Sequence, residues 1–395
     1  MNFHHTLSTQ NIVIIEPQNL STFQPLTQLK PLSLLQWAGG SLFDALSAQF
    51  PEMSIHIWGN DDFKSIAMER HKVQFYNHKI SGSTLFISSQ FFPSFVTELF
   101  DLFEIEKESI FQSNHQFAFA FFENPPVQHE HFLSFIQSSE TRELPSIFAQ
   151  HFMRDFASPI INLHDHLIKR ISWLKENNAY SLQENGVFNN AKDSFQLVSF
   201  DTSNGPIWIG KNVEIEPFSH LLGPLILDDN CTVKSHSRIA SSGIGRFCKV
   251  SGEISVSQLM AYSNKAHSGF LGHSILSSWV NFGADTNTSN LKNNYSPLCF
   301  QWNGFKTEFS QFLGSVIGEH CKTAINTQLN TGTTMGAFSN LFSADFPQKE
   351  IPTFSWGDEQ YNLEKAIETA RIVMERREIS LLPCEEAQIR KLFRS

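Results

Sequence analysis

The sequence predicts two architectures in tandem, an α/β domain followed by an all-β parallel β-helix with a C-terminal helix. Two observations carry this expectation. Over residues 1–158, short β-prone runs alternate with segments of helical spacing, and beyond residue 205 an aliphatic side chain recurs at every sixth position. With 395 residues the chain also exceeds what one hydrophobic core serves, so more than one domain is expected.

In the first part, NIVIIE, SIHIWGN, STLFISS and HQFAFAFFE read as strands, separated by helical segments such as SLFDALSAQF and FVTELFDLF. That alternation favours a mostly parallel sheet with helices on its faces. PIINLHDHLIKRISWLKE is an amphipathic connecting helix, and a polar linker after it completes residues 159–204. The solenoid is then expected over 205–350. Its interior positions are Ile209, Ile215, Leu221, Leu227, Val233 and Ile239, then, after a slip, Ile244, Val250 and Val256, with resumption at Ile317, Thr323, Leu329, Met335 and Leu341. Small residues that follow these positions (Gly210, Ala240, Gly245, Gly318, Ala324, Gly336) and polar Asn212, Asp229 and Asn230 suit its corners. Residues 351–395 form a helical tail that includes the amphipathic YNLEKAIETARIVMERRE. Between 264 and 290 the polar, histidine-bearing stretch NKAHSGFLGHSILSSWVNFGADTNTSN is expected to interrupt the coil.

Composition excludes several classes. The formal charge is −10, without a basic stripe, so nucleic acid is not an expected partner. The five cysteines lack CxxC spacing, which suggests neither a zinc site nor a disulfide framework and fits a reducing cytoplasm. The first residues have no basic leader region, and no run approaches the ~18 apolar residues of a membrane span. A cytoplasmic protein without a membrane partner is expected.

The strings GFLGHSILSSWVNFGADTNTSNLKNNY, INTQLNTGTTMG and IPTFSWG resemble a divergent branch of sugar nucleotidyltransferases. That branch is similar to the bifunctional enzymes that join an N-acetylglucosamine-1-phosphate uridyltransferase to a glucosamine-1-phosphate acetyltransferase. The resemblance is strong over 205–357 and weak before it. It implies a nucleotidyltransferase-like, Rossmann-type N-terminal sheet and a left-handed β-helix. It also implies a homotrimer whose pocket forms between subunits, and a sugar phosphate or sugar nucleotide as small-molecule partner.

In the related acetyltransferases a K-A-x-H-x-x-Y-[LV]-G-D segment carries the base that takes the proton from a sugar amine attacking acetyl-CoA. NKAHSGFLGH matches it and puts His267 in that role; histidine suits a step in which a proton is taken and then released. The same resemblance aligns Asn281 and Asn290 with sugar- and acetyl-binding asparagines, and sets Ala284, Ala324 and Ile325 along the acetyl-CoA arm. Phe270 stands where tyrosine is usual and His273 where an acidic residue is usual. Arg238, Lys265 and Lys292 are the nearby candidates for the sugar phosphate.

The N-terminal half departs further. A working uridyltransferase follows its first strand with a glycine-rich phosphate loop, whereas NIVIIE leads into the glycine-free PQNLSTFQPLTQLKP. Lys30 is the best surviving sugar-nucleotide contact. TLFISS ends at Ser88 and Ser89 where the family has a magnesium-binding Gly-Asp, so magnesium belongs here only if this site is active. Three readings follow: acyl transfer from acetyl-CoA to an amino sugar phosphate or nucleotide amino sugar, nucleotidyl transfer to a sugar 1-phosphate, or a non-catalytic sugar-nucleotide scaffold.

Overall fold

The computed structural model describes residues 10–17, 20–75, 82–97, 110–113, 116–122, 139–144, 152–156, 158–177, 182–191, 195–309, 311–342 and 345–395. They divide into two compact units, one of Met1–Asn19, Lys30–Leu34 and Ser41–Arg154, the other of Leu20–Leu29, Leu35–Gly40 and Asp155–Ser395. A linear boundary near residue 158 misses the two short N-terminal segments of the second unit. They are there because of what they bury against: Leu29 lies in a cluster with Phe338 and Phe354, and Ala38 in one with Trp208 and Ile226.

The α/β unit is built on β1 (Asn11–Ile15), which pairs in parallel with β2 (Ser54–Trp58) and β4 (Thr84–Ser88). With β3 (Gln74–Phe75), β5 (Ile110–Ser113), β6 (Gln116–Phe122) and β7 (Arg142–Glu143), the sheet order is β3-β2-β1-β4-β6-β5-β7. The period of two splits β1 between two layers. Ile12 and Ile14 pack with Leu42, Ala45 and Leu46 of the helix Leu42–Gln49, while Val13 and Ile15 pack with Trp58, Phe86 and Ala120. Ser41 and Asp44 close that helix's N-terminus as a reciprocal capping box. The sheet is parallel at β1, β2, β3 and β4 but antiparallel where β6 meets β4 and β5. The helix expected over FVTELFDLF lies mostly outside the described residues.

The second unit is the parallel β-helix expected from the hexads, with the left hand that the resemblance implies. Its first face stacks Ser199–Asp201, His220–Leu222, Arg238–Ala240, Glu253–Ser255 and Phe270–Gly272. Its second runs from Ile207–Ile209 to Glu350–Ile351, and its third starts with Glu214–Ile215 and Thr232–Val233. Along the third face, partners Glu214, Thr232, Lys249, Asn264, Asn281, Lys322 and Asn340 are 18, 17, 15, 17, 41 and 18 residues apart. Close approach of coils explains the small residues: a Cβ on Gly245 or Gly318 would come within 2.8 Å of the next coil's backbone nitrogen.

Three expectations are corrected. Residues 264–290 do not interrupt the solenoid, since Asn264–Lys265, Phe270–Gly272, Ile275–Leu276 and Asn287–Thr288 all occupy regular rungs. The real excursion follows Asn290, forms the hairpin Leu298–Trp302 with Phe305–Phe309, and closes where the Leu313 N–H bonds the Asn290 carbonyl at 3.0 Å. Val256 is not interior: its coil is short, Ile254 fills the core position, and Val256 sits at a corner with φ 47° against the cluster of the helix Leu163–Asn177. The solenoid also runs past 350, with Ser355–Trp356 as a further rung.

At the corners, Asn212 and Asn230 adopt positive φ as expected, but Asp229 instead accepts the Lys211 N–H at 2.7 Å. Bulky side chains take other left-handed corners. Phe247, Tyr262, Trp279, His320, Phe338 and Phe354 have φ between 57° and 68° and stack ring on ring, 4.3–6.0 Å apart. The helices Leu363–Glu375 and Pro383–Arg394 pack Ala366, Ile367, Ala370 and Ile389 against the lower end of that stack. Among the described residues no helix is long and apolar enough to cross a membrane.

Candidate functional site

His267 lies on a corner, the bend 266–269 between the third-face rung Asn264–Lys265 and the first-face rung Phe270–Gly272, and its side chain is exposed. Three features shape the bend. Gly269 has φ 113°, and a Cβ there would fall 2.3 Å from the Thr286 carbonyl. Outside, the Ser268 hydroxyl contacts the Asp285 carboxylate. Inside, the Lys265 ammonium donates to the carbonyls of Ser251, His267 and Ser268 at 3.2, 2.6 and 2.8 Å.

That geometry revises the role expected of Lys265. Only 2 % of it is exposed, and it stands beneath Val250 in the interior ladder. Burial pushes its amine down to about 8, with Asp285 opposing the shift. An ammonium that has all three donors engaged by carbonyls inside the coil is not placed to meet a sugar phosphate.

The corner column does gather the residues expected along the acetyl-CoA arm. Ala284 is on the next corner, and the Asn326 N–H bonds its carbonyl at 2.8 Å, which brings Ala324 and Ile325 directly below it. Ile325 is 69 % exposed. The column beneath His267 is therefore a shallow strip of small and apolar surface on three successive coils. Its continuity is tertiary, because the excursion separates Ala284 from Ala324 in sequence.

The asparagines fall elsewhere. Asn281 faces outward on the third face, bridging Asn264 and Lys322, with its carbonyl oxygen 3.5 Å from the Asn264 amide. Asn290 sits at the neck of the excursion, its Nδ2 2.8 Å from His273 Nδ1. His273 in turn stacks on Phe312 at 5.0 Å, and burial lowers its pKa. Phe270 and Asn290 both flank Gly272, where a Cβ would touch them at 2.4 and 2.7 Å. Phe270, His273, Asn290 and Phe312 thus form a half-buried polar and aromatic cluster along the short strand that follows the His267 bend. Phe312 could not be read from sequence, because only the return of the excursion brings it there.

The remaining candidates are dispersed. Arg238 is exposed on the first face and 3.6 Å from Glu253. Lys292 lies within the excursion and donates to the Pro297 carbonyl at 2.8 Å. Lys30 is half-buried in the α/β unit.

In the α/β unit the chain reverses its direction of strand addition between β1 and β4, and the carboxyl ends of those strands are where such sheets accept ligands. Glu16 follows β1 there, 5 % exposed, and accepts the Leu32 and Ser33 N–H groups at 2.9 Å each. Burial raises its pKa, against the hydrogen bonds from Ser33 and Leu32. Ser88 and Ser89, at the end of β4, are buried as well. Among the described residues no group of three or more His, Cys, Asp or Glu side chains is placed to hold a metal ion. Two buried hydroxyls and a carboxylate engaged by backbone N–H groups do not fit magnesium.

No family model matches the chain. The bifunctional protein GlmU of Methanococcus vannielii is 33% identical over 101 residues, 26% of this chain and 24% of that protein. GlmU of Methanococcus aeolicus is 24% identical over 198 residues, 42% of this chain and 46% of that protein. A bifunctional sugar-1-phosphate nucleotidylyltransferase/acetyltransferase of Sulfurisphaera tokodaii is 27% identical over 100 residues, 25% of each. A solved structure of a mutant of AntD, an N-acyltransferase from Bacillus cereus, in complex with dTDP and coenzyme A, covers 50% of this chain at 14% identity; its TM-score of 0.18 carries no argument. The chain spans between a quarter and a half of the length of the curated relatives it matches. Over that span it is similar to bifunctional nucleotidyltransferase/acetyltransferase proteins, at the modest identity of a divergent branch.

Proposed function

We propose that the protein is a transferase of sugar-nucleotide metabolism that moves an acyl group from coenzyme A to the amine of an amino sugar phosphate or nucleotide amino sugar. The observation that carries this reading is the corner column, with exposed His267 above the small and apolar strip of Ala284, Ala324 and Ile325. A thioester arm needs such a strip, and an attacking amine needs a base beside it. His267 takes the amine proton as the nitrogen attacks the thioester carbonyl. The N–C bond forms, the C–S bond breaks, and the proton passes on to the departing thiolate. Asn281 orients the acyl carbonyl, and Asn290 with Phe270 and His273 holds the sugar. Assembly as a homotrimer with this corner at the interface is part of the proposal.

Nucleotidyl transfer has less support, since the strand end where phosphate would rest already carries Glu16 on the nearby N–H groups. Purified protein incubated with acetyl-CoA and glucosamine 1-phosphate should release free thiol and gain an acetylated product by mass spectrometry. If no amino sugar is acylated with any acyl donor tried, the reading fails and a binding scaffold takes its place.

A further inference from the structure

We propose that Lys265 is a positioning residue, an ammonium set inside the solenoid to hold the bend that presents His267. The proposal rests on the acyl-transfer reading only for its consequence in catalysis; the structural part stands on other corners of the same solenoid.

Four corners enter a rung in the same way, those before His220–Leu222 and Arg238–Ala240 on the first face and those before Asn287–Thr288 and Gln328–Leu329. In each, a hydroxyl just before the strand bonds the carbonyl three residues back. Ser219 Oγ donates to Glu216 at 3.0 Å, Ser237 Oγ to Lys234 at 2.5 Å, Thr286 Oγ1 to Gly283 at 2.9 Å, and Thr327 Oγ1 to Ala324 at 2.8 Å. A side-chain hydroxyl thereby satisfies a corner carbonyl and locks the turn. The corner of His267 departs from this pattern, as does the one before Glu253–Ser255: Gly269 and Gly252 occupy the hydroxyl's place, and at Gly269 the Thr286 carbonyl leaves no room for a Cβ.

Lys265 supplies what Gly269 lacks, from the opposite side. The residues at its ladder position on other coils are Ile215, Val233, Val250, Phe282, Thr323 and Leu341, so packing alone asks for an uncharged side chain there. The ammonium reaches the carbonyls of His267 and Ser268 and ties them to Ser251 of the coil before. Without it, these inward carbonyls would be left without a partner or would rotate toward water, and rotation would swing the His267 side chain with its peptide plane. The Ser268 contact to Asp285 grips the same bend from outside.

The test combines Lys265→Met with nuclear magnetic resonance of histidine-labelled protein. The variant keeps the side chain's length and removes its donors. The His267 ring signal, assigned by its loss in His267→Ala, should shift and broaden, while the signal of His220, three rungs away on the first face, stays unchanged. In the acyl-transfer assay kcat should fall roughly tenfold to a hundredfold, with KM for acetyl-CoA little altered, as for a misplaced catalytic group. If the ring signal moves and the wild type acylates nothing, the positioning role stands and the proposed function falls. An unchanged ring signal and unchanged kcat would overturn the proposal. In wild-type protein, which settles the matter even if the variant does not fold, the Lys265 ammonium should give a protected nitrogen signal coupled across hydrogen bonds to the carbonyl carbons of His267 and Ser268. Free methylation of Lys265 by formaldehyde and borohydride would refute it.

Discussion

The α/β unit and the solenoid each bury a charged side chain against backbone groups, with opposite signs and opposite consequences. In the α/β unit the Glu16 carboxylate gathers the N–H groups of Leu32 and Ser33 at the carboxyl edge of the sheet. In the solenoid the Lys265 ammonium gathers carbonyls beneath a corner. On the proposed reading, the first arrangement occupies donors that a phosphate would otherwise use and closes a ligand position from within, whereas the second pulls carbonyls inward, leaves a histidine outside and presents one. A buried charge is tolerated in both because it is fully engaged by backbone dipoles, and removing it exposes groups that have no other partner.

The largest expected effect lies on the presenting side. His267→Ala should lower acyl transfer by about 10²–10⁴-fold, the usual contribution of a positioned base, with the melting temperature nearly unchanged because the side chain is exposed. Full activity in that variant would remove the functional half of the contrast.

Next comes the pH dependence of Lys265. Its amine is held at about 8 by burial, below the 10.5 of a free lysine, so the folded state binds fewer protons than the unfolded chain between those values. This group's contribution to stability is therefore lowest below pH 8 and rises across the window. In paired melts of wild type and Lys265→Met, the difference should move in favour of the wild type by at most about 3 kcal/mol between pH 7 and 10. A constant difference would mean that the Lys265 amine binds its proton equally in the folded and unfolded chain.

Glu16→Ala tests the closing side. It leaves two buried N–H groups without an acceptor and should destabilise the α/β unit by roughly 1–3 kcal/mol, while thiol release from acetyl-CoA stays at the wild-type rate. Pyrophosphate release from UTP and N-acetylglucosamine 1-phosphate should be undetectable in the wild type. Turnover that EDTA abolishes would show that the edge is open after all.

The smallest effect concerns His273. Burial lowers its pKa below 6.5, so the unfolded state binds the extra proton first and this residue's contribution to stability is lost as the pH falls below that value. His273→Gln should flatten the decline in melting temperature between pH 7 and 5 by a few degrees at most, roughly what a sub-kcal/mol change gives. An unaltered slope would show that the Asn290 cluster does not depend on a neutral imidazole.

The sequence by itself determined the solenoid interior, because a narrow three-sided coil admits one side chain per face and its aliphatic requirement recurs in register. Ile209, Ile215, Leu221, Leu227, Val233, Ile239, Ile244 and Val250 were legible for that reason. Only the tertiary structure decided which coil would be short, and with it the exchange of Val256 for Ile254, since coil length is set by corners whose residues obey no single pattern. It alone placed the excursion after Asn290, brought Ala324 beneath Ala284, and stacked aromatic rings at left-handed corners that asparagine or glycine would ordinarily take. Lys265 shows why. A hexad position specifies which way a side chain points, but whether an inward lysine finds water, a carboxylate or three carbonyls depends on the corners of two coils, and that closure is a property of the folded chain.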